Sequence, residues 1–173
     1  MLKLAADAAM PVAALFAVAT IAVAAGLDLP AAEPNLLPPE QAFRFSARAL
    51  DPNTLEARFD VANGYYLYRD KLHFALEKSS PTLGAALLPS GQRKHDAFFG
   101  DVEIYRGAVT VKLPMTGSLP RQDIVLVADS QGCADVGVCY PPSRQQVRLV
   151  VPAPGAGAGP QVDAPQPRRG LFN

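Results

Sequence analysis

Hydrophobic and polar residues alternate along most of the central part of this sequence. In residues 55–61 (LEARFDV) the apolar side chains fall on one side of an extended chain and the charged ones on the other. A period of two predicts a half-buried β-strand. The pattern recurs several times, and one continuous apolar run predicts a buried strand. These further segments are Phe43/Phe45, Tyr66/Tyr68, Leu72/Phe74/Leu76, Val109/Val111/Leu113, 124–128 and Val147/Leu149/Val151.

Turn-forming residues separate the predicted strands. Asn63-Gly64 and Arg106-Gly107 are typical of turns, and residues 39–43 alone suggest a short helical turn. Many short strands divided by turns predict an all-β fold, an immunoglobulin-like antiparallel β-sandwich. Cys133 and Cys139 are too close in sequence to form the disulfide that joins the two sheets of antibody domains.

The two ends of the chain differ from its centre. Residues 1–24 combine Lys3 with an uncharged apolar run and a small-x-small site, so we expect a signal peptide. A retained membrane anchor is the competing interpretation, because about 20 apolar residues span a bilayer. Both place the domain in the periplasm, which permits disulfides. We expect residues 25–35 to be a loose leader, residues 36–150 to form the sandwich, and residues 151–173, rich in Pro, Gly and Ala, to be a disordered tail.

Composition and charge exclude several functions. The 173 residues include 16 basic and 16 acidic side chains, and this balance argues against binding to nucleic acid. The two Cys and two His do not form a typical structural zinc motif. The sequence also lacks the motifs of P-loop proteins, zinc metalloproteases and α/β-hydrolases. We therefore expect no metal and no other cofactor.

The two cysteines allow two interpretations. Cys133 and Cys139 lie in QGCADVGVCYPP, where Gly137 permits the tight return that a small ring needs. We expect the pair to cap a hairpin-like connection between the apolar run 124–128 and the strand around Val147. A structural disulfide closing so small a ring would contribute roughly 2–2.5 kcal/mol. A redox-active pair is equally compatible with the spacing, because a small ring can open without unfolding the domain. Its reactivity would depend on the thiolate and on its accessibility.

Two aromatic segments accompany the cysteines. GYYLYR places Tyr66 and Tyr68 on one face of a strand, where tyrosines commonly fill the edge of a core. HDAFFGD places Phe98 and Phe99 in a polar loop that ends in glycine. Either both rings anchor this loop to the core, or one of them covers another group. A disulfide is a polarisable surface that an aromatic ring can shield.

Three segments together resemble one family. GYYLYR, DAFFGDVEIYR and QGCADVGVCYPP, in this order and spacing, are similar to the N-terminal periplasmic domain of the thiol:disulfide interchange protein DsbD. The resemblance covers about residues 36–150, and the cysteine segment is its most specific part. It implies an immunoglobulin-like sandwich that passes electrons to oxidised periplasmic thioredoxin-fold proteins. These are disulfide isomerases and the thioredoxin-like reductase of cytochrome c maturation.

The resemblance also implies roles for individual residues. Cys139 is similar to the sulfur that forms the mixed disulfide with a partner, and Cys133 to the resolving thiol. Phe98, with Phe99 beside it, resembles the ring of a cap loop that shields the pair until a partner displaces it. The same resemblance makes Tyr66 and Tyr68 walls of the site and Asp96 a nearby acid.

Two departures from the family pattern affect these expectations. Ala97 stands where a family member has a glutamate, so we expect no proton transfer by a second carboxylate. The chain stops at Asn173, without the family's membrane and C-terminal thioredoxin-like domains. Either a membrane or thioredoxin-like electron donor acts in trans, or the sequence is a fragment. We expect a monomeric protein-disulfide reductase. The alternative is a secreted immunoglobulin-like binding module with a purely structural disulfide.

Overall fold

The alternating segments form antiparallel strands in a computed structural model, which describes residues 35–166. The first element of the described part is a short helix, α1, and one 3-10 turn (Arg69–Lys71) follows the third strand. The elements are α1 Pro39–Ala42, β1 Phe43–Asp51, β2 Thr54–Val61, β3 Tyr65–Tyr68, β4 His73–Leu76, β5 Thr82–Leu83, β6 Gln92–Asp96, β7 Gly100–Tyr105, β8 Ala108–Thr116, β9 Asp123–Ser130, β10 Gly132–Ala134, β11 Val138–Cys139, β12 Ser143–Val150 and β13 Val162–Asp163.

The strands form three antiparallel sheets. Their orders are β13-β1-β2-β8-β5, β11-β10-β3-β7-β6 and β12-β9-β4. This confirms the predicted all-β, immunoglobulin-like sandwich. The short helical turn expected at residues 39–43 is also present, as α1. Within the described residues, no helix has the length and apolar composition needed to cross a bilayer.

One hydrophobic core joins the first and third sheets. In β2, Leu55, Ala57 and Phe59 are fully buried, and the polar residues between them are half-buried. Strand β8 alternates buried and exposed positions along its whole length. Leu126 of β9 and Leu149 of β12 belong to the same core. The period of two in the sequence therefore marks the face of each strand that packs inward.

The second sheet carries the cysteines and the aromatic segments. Leu67 of β3 faces the main core, whereas Tyr66 and Tyr68 form a separate buried cluster with Ile104 and Cys133. Because side chains alternate along a strand, β3 contributes to the main core and to the cysteine cluster at once. Strands β6 and β7 form a hairpin that the pattern does not predict. Its residues 92–103 are mostly polar, and all except the buried Asp96 are exposed or half-buried.

The Pro-, Gly- and Ala-rich segment differs from the expected disordered tail. Val162 pairs with Ala47 across β1 and β13. The N–H of Gly159 donates to the carbonyl of Ala49 (2.8 Å), and Ala164 is buried. Strand β1 has an open edge, and an extended chain without a core of its own can pair with it. Residues 167–173 of this tail, and residues 1–34 with the expected signal peptide and most of the leader, lie outside the described part.

Candidate active site

The two cysteines lie opposite each other in a short hairpin formed by β10 and β11. They form a disulfide, and their Cα atoms are 3.9 Å apart. The Tyr140 N–H donates to the Gly132 carbonyl (2.9 Å), which makes the cysteines a non-hydrogen-bonded pair, the position where facing side chains are closest. The turn contains Gly137 at a φ of 88°, in the left-handed region that glycine adopts readily. This short hairpin therefore holds the two cysteines in register.

The two sulfurs differ in accessibility. Cys133 is fully buried beneath Tyr66 and Tyr68, whereas Cys139 is half-buried on the edge strand β11. Val138, beside Cys139, is 38% exposed. A thiolate of another protein or a small thiol therefore has access from the Cys139 side, because exchange requires an approach to one sulfur of the disulfide.

The Tyr68 hydroxyl lies beside the disulfide, within reach of both sulfurs. Its Oη is 3.1 Å from Cys133 Sγ and 3.8 Å from Cys139 Sγ. The Tyr68 side chain is fully buried, and this burial raises its pKa. The hydroxyl therefore stays protonated at neutral pH. It can donate to a thiolate formed when the disulfide opens, which favours the charged form of that sulfur.

Asp96 connects the tyrosines to the loop that carries the two phenylalanines. Tyr66 Oη donates to Asp96 Oδ2 (2.7 Å), and the N–H groups of Phe98 and Phe99 donate to Asp96 Oδ1 (2.9 and 3.2 Å). Burial alone would raise the pKa of Asp96, but these donors outweigh it and hold the pKa below its usual value. Asp96 is therefore a carboxylate at neutral pH, buried but fully hydrogen-bonded.

The loop at residues 97–99 is the turn of the β6–β7 hairpin. Gly100, at a φ of 73°, completes a three-residue hairpin turn. Phe99 packs edge-on against Tyr68, with ring centroids 5.0 Å apart, and Lys71 Nζ lies 5.0 Å from the Phe99 centroid. Phe98, to which the family resemblance assigns the shielding ring, is 63% exposed. In this structure the tyrosine wall is contacted by Phe99, and the shielding role of Phe98 stays a prediction.

Other residues, which the sequence pattern does not indicate, also contact the site. Arg106 forms two hydrogen bonds with Asp135 in the cysteine hairpin (2.9 and 2.7 Å), and Lys94 Nζ lies 5.1 Å from the Tyr66 ring centroid. The hydrogen bond from Arg106 lowers the pKa of Asp135. Arg106 and Asp135 lie in segments used for the resemblance, but sequence alone does not indicate their contact.

The site consists of a disulfide, a tyrosine donor and a buried carboxylate. Among residues 35–166 there is no group of three or more His, Cys, Asp and Glu side chains that could hold a metal ion. The chemistry that these groups support directly is exchange at sulfur, in which Cys139 is accessible and the Tyr68 hydroxyl contacts both sulfurs.

Comparison with known families agrees with this site. Residues 33–151 match the family described as thiol:disulfide interchange protein DsbD, N-terminal. The chain belongs to the DsbD N-terminal family. It is 42% identical over 157 residues to the thiol:disulfide interchange protein DsbD of Ralstonia nicotianae, covering 89% of this chain and 25% of that protein. For DsbD 1 of Pseudomonas aeruginosa, the identity is 39%, covering 69% of this chain and 21% of that protein. The chain thus spans about a quarter of the length of these DsbD relatives.

Two solved DsbD structures from Neisseria meningitidis are also similar. The DsbD N-terminal domain in its reduced form has a TM-score of 0.61 and 34% identity, covering 76% of this chain and 96% of that one. The second structure is a complex between the DsbD N-terminal and PilB N-terminal domains. It has a TM-score of 0.56 and 33% identity, covering 66% of this chain and 87% of the matched one.

Proposed function

We propose that this domain performs thiol:disulfide interchange through Cys133 and Cys139 in the periplasm. It passes electrons to oxidised thioredoxin-fold proteins, either a disulfide isomerase or a reductase of cytochrome c maturation. A membrane or thioredoxin-like donor re-reduces it in trans. The domain acts as a monomer and as a reductase of protein disulfides.

The observation that carries the proposal is the different accessibility of the two sulfurs. Cys139 is half-buried on an edge strand, and Cys133 is fully buried against Tyr68. This asymmetry supports Cys139 as the sulfur that attacks the partner and Cys133 as the resolving thiol. The complex of a DsbD N-terminal domain with a PilB N-terminal domain supports docking of a second protein domain.

The reaction begins with the reduced domain. The Cys139 thiolate attacks the accessible sulfur of a partner disulfide after the loop at residues 97–99 moves aside. A mixed disulfide forms and the partner's second sulfur leaves as a thiolate. Cys133 then attacks Cys139, which restores the domain's disulfide and releases the reduced partner. The Tyr68 hydroxyl, within 3.8 Å of both sulfurs, stabilises the thiolates that form in these steps.

The test is the reduction potential of the pair, followed by trapping. A value between about −180 and −270 mV, with the fold intact in both states, supports interchange. Cys133→Ser should accumulate mixed disulfides with a thioredoxin-fold substrate, and Cys139→Ser should abolish transfer. A potential well below about −300 mV, or unfolding on reduction, would instead support the binding module with a structural disulfide. Wild-type transfer by Cys133→Ser would refute its resolving role.

A further inference from the structure

An arginine outside the cysteine hairpin holds the turn of that hairpin in place. Arg106 Nη2 and Nη1 donate to the two carboxylate oxygens of Asp135 (2.7 and 2.9 Å), and Nη1 also donates to the Tyr65 carbonyl (3.1 Å). The N–H of Asp135 donates to the carbonyl of Gly64 (2.8 Å). The guanidinium carbon lies 5.2 Å from the ring centroid of Tyr66. The turn is therefore fixed to the start of β3 by contacts that do not involve sulfur.

A tyrosine holds the open end of the same hairpin. Tyr140, which follows Cys139, donates from its hydroxyl to the Leu37 carbonyl (2.6 Å), and the Leu37 N–H donates to the Tyr65 hydroxyl (2.8 Å). The Tyr140 ring packs edge-on against Phe43, with centroids 5.6 Å apart. Its backbone N–H donates to Gly132, the neighbour of Cys133 on the opposite strand. The segment before α1 thus anchors the residue next to the accessible cysteine.

None of these contacts depends on the bond between the sulfurs. They hold both ends of the hairpin, and Arg106 binds the turn through a planar bidentate pair of defined geometry. We propose that Arg106 and Tyr140 are positioning residues that keep the hairpin closed in the dithiol and mixed-disulfide states. They thereby hold Cys133 within reach of Cys139. This inference rests on the proposed function, which supplies the cycle in which the disulfide opens.

The step that depends on this positioning is resolution. The Cys133 thiol loses its proton to solvent, and its sulfur attacks Cys139 in the mixed disulfide. The Cys133–Cys139 bond forms and the Cys139–partner bond breaks. The partner sulfur leaves as a thiolate and takes up a proton. Across the whole cycle, two electrons pass from the domain's dithiol to the partner's disulfide. Both the rate and the equilibrium constant of resolution increase with the effective concentration of the Cys133 sulfur near the Cys139 sulfur.

The test compares two arginine–aspartate pairs in the full 173-residue chain. Arg106→Lys cannot make the bidentate pair, and Asp135→Asn is a second variant of nearly unchanged size. The matched control is Arg144→Lys. Arg144 makes a similar pair with Asp129 (2.7 and 3.0 Å), between the two strands β12 and β9 of a different sheet. Tyr140→Phe tests the open end, because it removes only the hydroxyl bound to Leu37.

The readout is the equilibrium of each variant with glutathione, followed by alkylation of free thiols. We expect Arg106→Lys, Asp135→Asn and Tyr140→Phe to lower the equilibrium constant for disulfide formation three- to tenfold. This corresponds to a potential about 15–30 mV less negative. The mixed disulfide with glutathione should also resolve more slowly by a similar factor. Arg144→Lys should change neither quantity. Because Arg144 is more exposed than Arg106, its replacement should lower the thermal stability of the oxidised protein no more than Arg106→Lys does.

Two results would overturn the inference. One is a wild-type glutathione equilibrium in both Arg106→Lys and Asp135→Asn. The other is an equal shift in Arg144→Lys, which would indicate a general loss of stability. Because glutathione replaces the protein partner, the test is separate from the proposed function. Loss of transfer to thioredoxin-fold proteins with an intact glutathione effect would refute the proposed function alone.

Discussion

Replacing Asp96 with alanine removes the acceptor of three hydrogen bonds at the candidate site. The Tyr66 hydroxyl and the N–H groups of Phe98 and Phe99 all donate to this carboxylate. Hydrogen bonds to a charged group contribute about 1.5–3 kcal/mol each, and the Tyr66 hydroxyl would remain buried without this partner. Part of this loss of stability is offset because the freed N–H groups of Phe98 and Phe99 can bind water. We expect Asp96→Ala to lower the free energy of unfolding by about 3 kcal/mol.

Asp96→Asn separates the contribution of the loop from that of the charge. The amide oxygen can still accept from the N–H groups of Phe98 and Phe99, so the hairpin turn survives, as asparagine also forms such turns. The Tyr66 hydroxyl then faces a neutral amide instead of a carboxylate. We expect a loss of about 1 kcal/mol, because only the charge-assisted part of one hydrogen bond is removed.

The assay is guanidinium-induced unfolding of the oxidised protein at pH 7. Asp101→Asn is the control, because Asp101 is the other aspartate of this hairpin and binds only His95 Nδ1 (2.7 Å) among the hydrogen bonds of the described side chains. Both of these side chains are more than four-fifths exposed, so the control should lose less than about 0.5 kcal/mol. An Asp96→Ala loss no larger than that of Asp101→Asn would refute the reasoning. Equal losses for Asp96→Ala and Asp96→Asn would assign the whole effect to the charge.

The contribution of the Asp96 carboxylate to stability should depend on pH. Burial raises the pKa of Asp96, and the donors from Tyr66 and Phe98 more than offset this, so the pKa in the folded state lies below that in the unfolded chain. The carboxylate therefore stabilises the fold fully above the unfolded pKa, about 3.9, and this contribution is lost as the pH falls through the folded pKa. The stability difference between wild type and Asp96→Asn should shrink below about pH 4. A constant difference between pH 7 and pH 3 would contradict this.

Two further predictions concern the backbone around the cysteine hairpin and the edge of β1. Gly132→Ala should prevent stable folding, because a methyl group there would overlap the Tyr66 carbonyl oxygen and lie 2.7 Å from the Phe43 ring. A native-like melting curve measured by circular dichroism would contradict this prediction. Truncation after residue 155 should lower the free energy of unfolding by about 1–3 kcal/mol and cause self-association, because it uncovers the edge of β1. The control is truncation after residue 166, which keeps β13. Unfolding curves compare the stability of the two truncated proteins, and light scattering compares their self-association. Equal stability and equal self-association would exclude a role for β13.

The strands of the main core could be predicted because local pattern and burial agree there. Residues 55–61 alternate strictly, and the structure buries Leu55, Ala57 and Phe59 against the other sheet. The tight return between the cysteines could be predicted from Gly137, although the two short strands beside it could not. In both cases the information lies within a few neighbouring residues, since side-chain alternation and turn geometry are local properties of the chain.

The segment after β12 shows where composition misleads. Pro, Gly and Ala supply little apolar area, so this stretch cannot form a core and was expected to be disordered. Its order comes from β1, whose carbonyls at Ala49 and Phe45 accept N–H groups from Gly159 and Ala164. A weakly hydrophobic segment can thus become a strand when a neighbouring edge supplies its hydrogen bonds. That edge is more than 100 residues away in sequence, beyond the range of any local pattern.

The candidate site depends both on local sequence and on contacts between residues that are distant in sequence. Its residue types follow from the sequence and the family resemblance, but their connections follow from the fold. Asp96 can bind Tyr66 because β6 and β3 lie on either side of β7 in one sheet. The same sheet brings Arg106, after β7, to Asp135 in the cysteine hairpin. The contacts that hold the cysteine hairpin run through carboxylates, hydroxyls and backbone groups. In the proposed exchange these contacts, rather than the sulfur–sulfur bond, would set the distance between the two sulfurs.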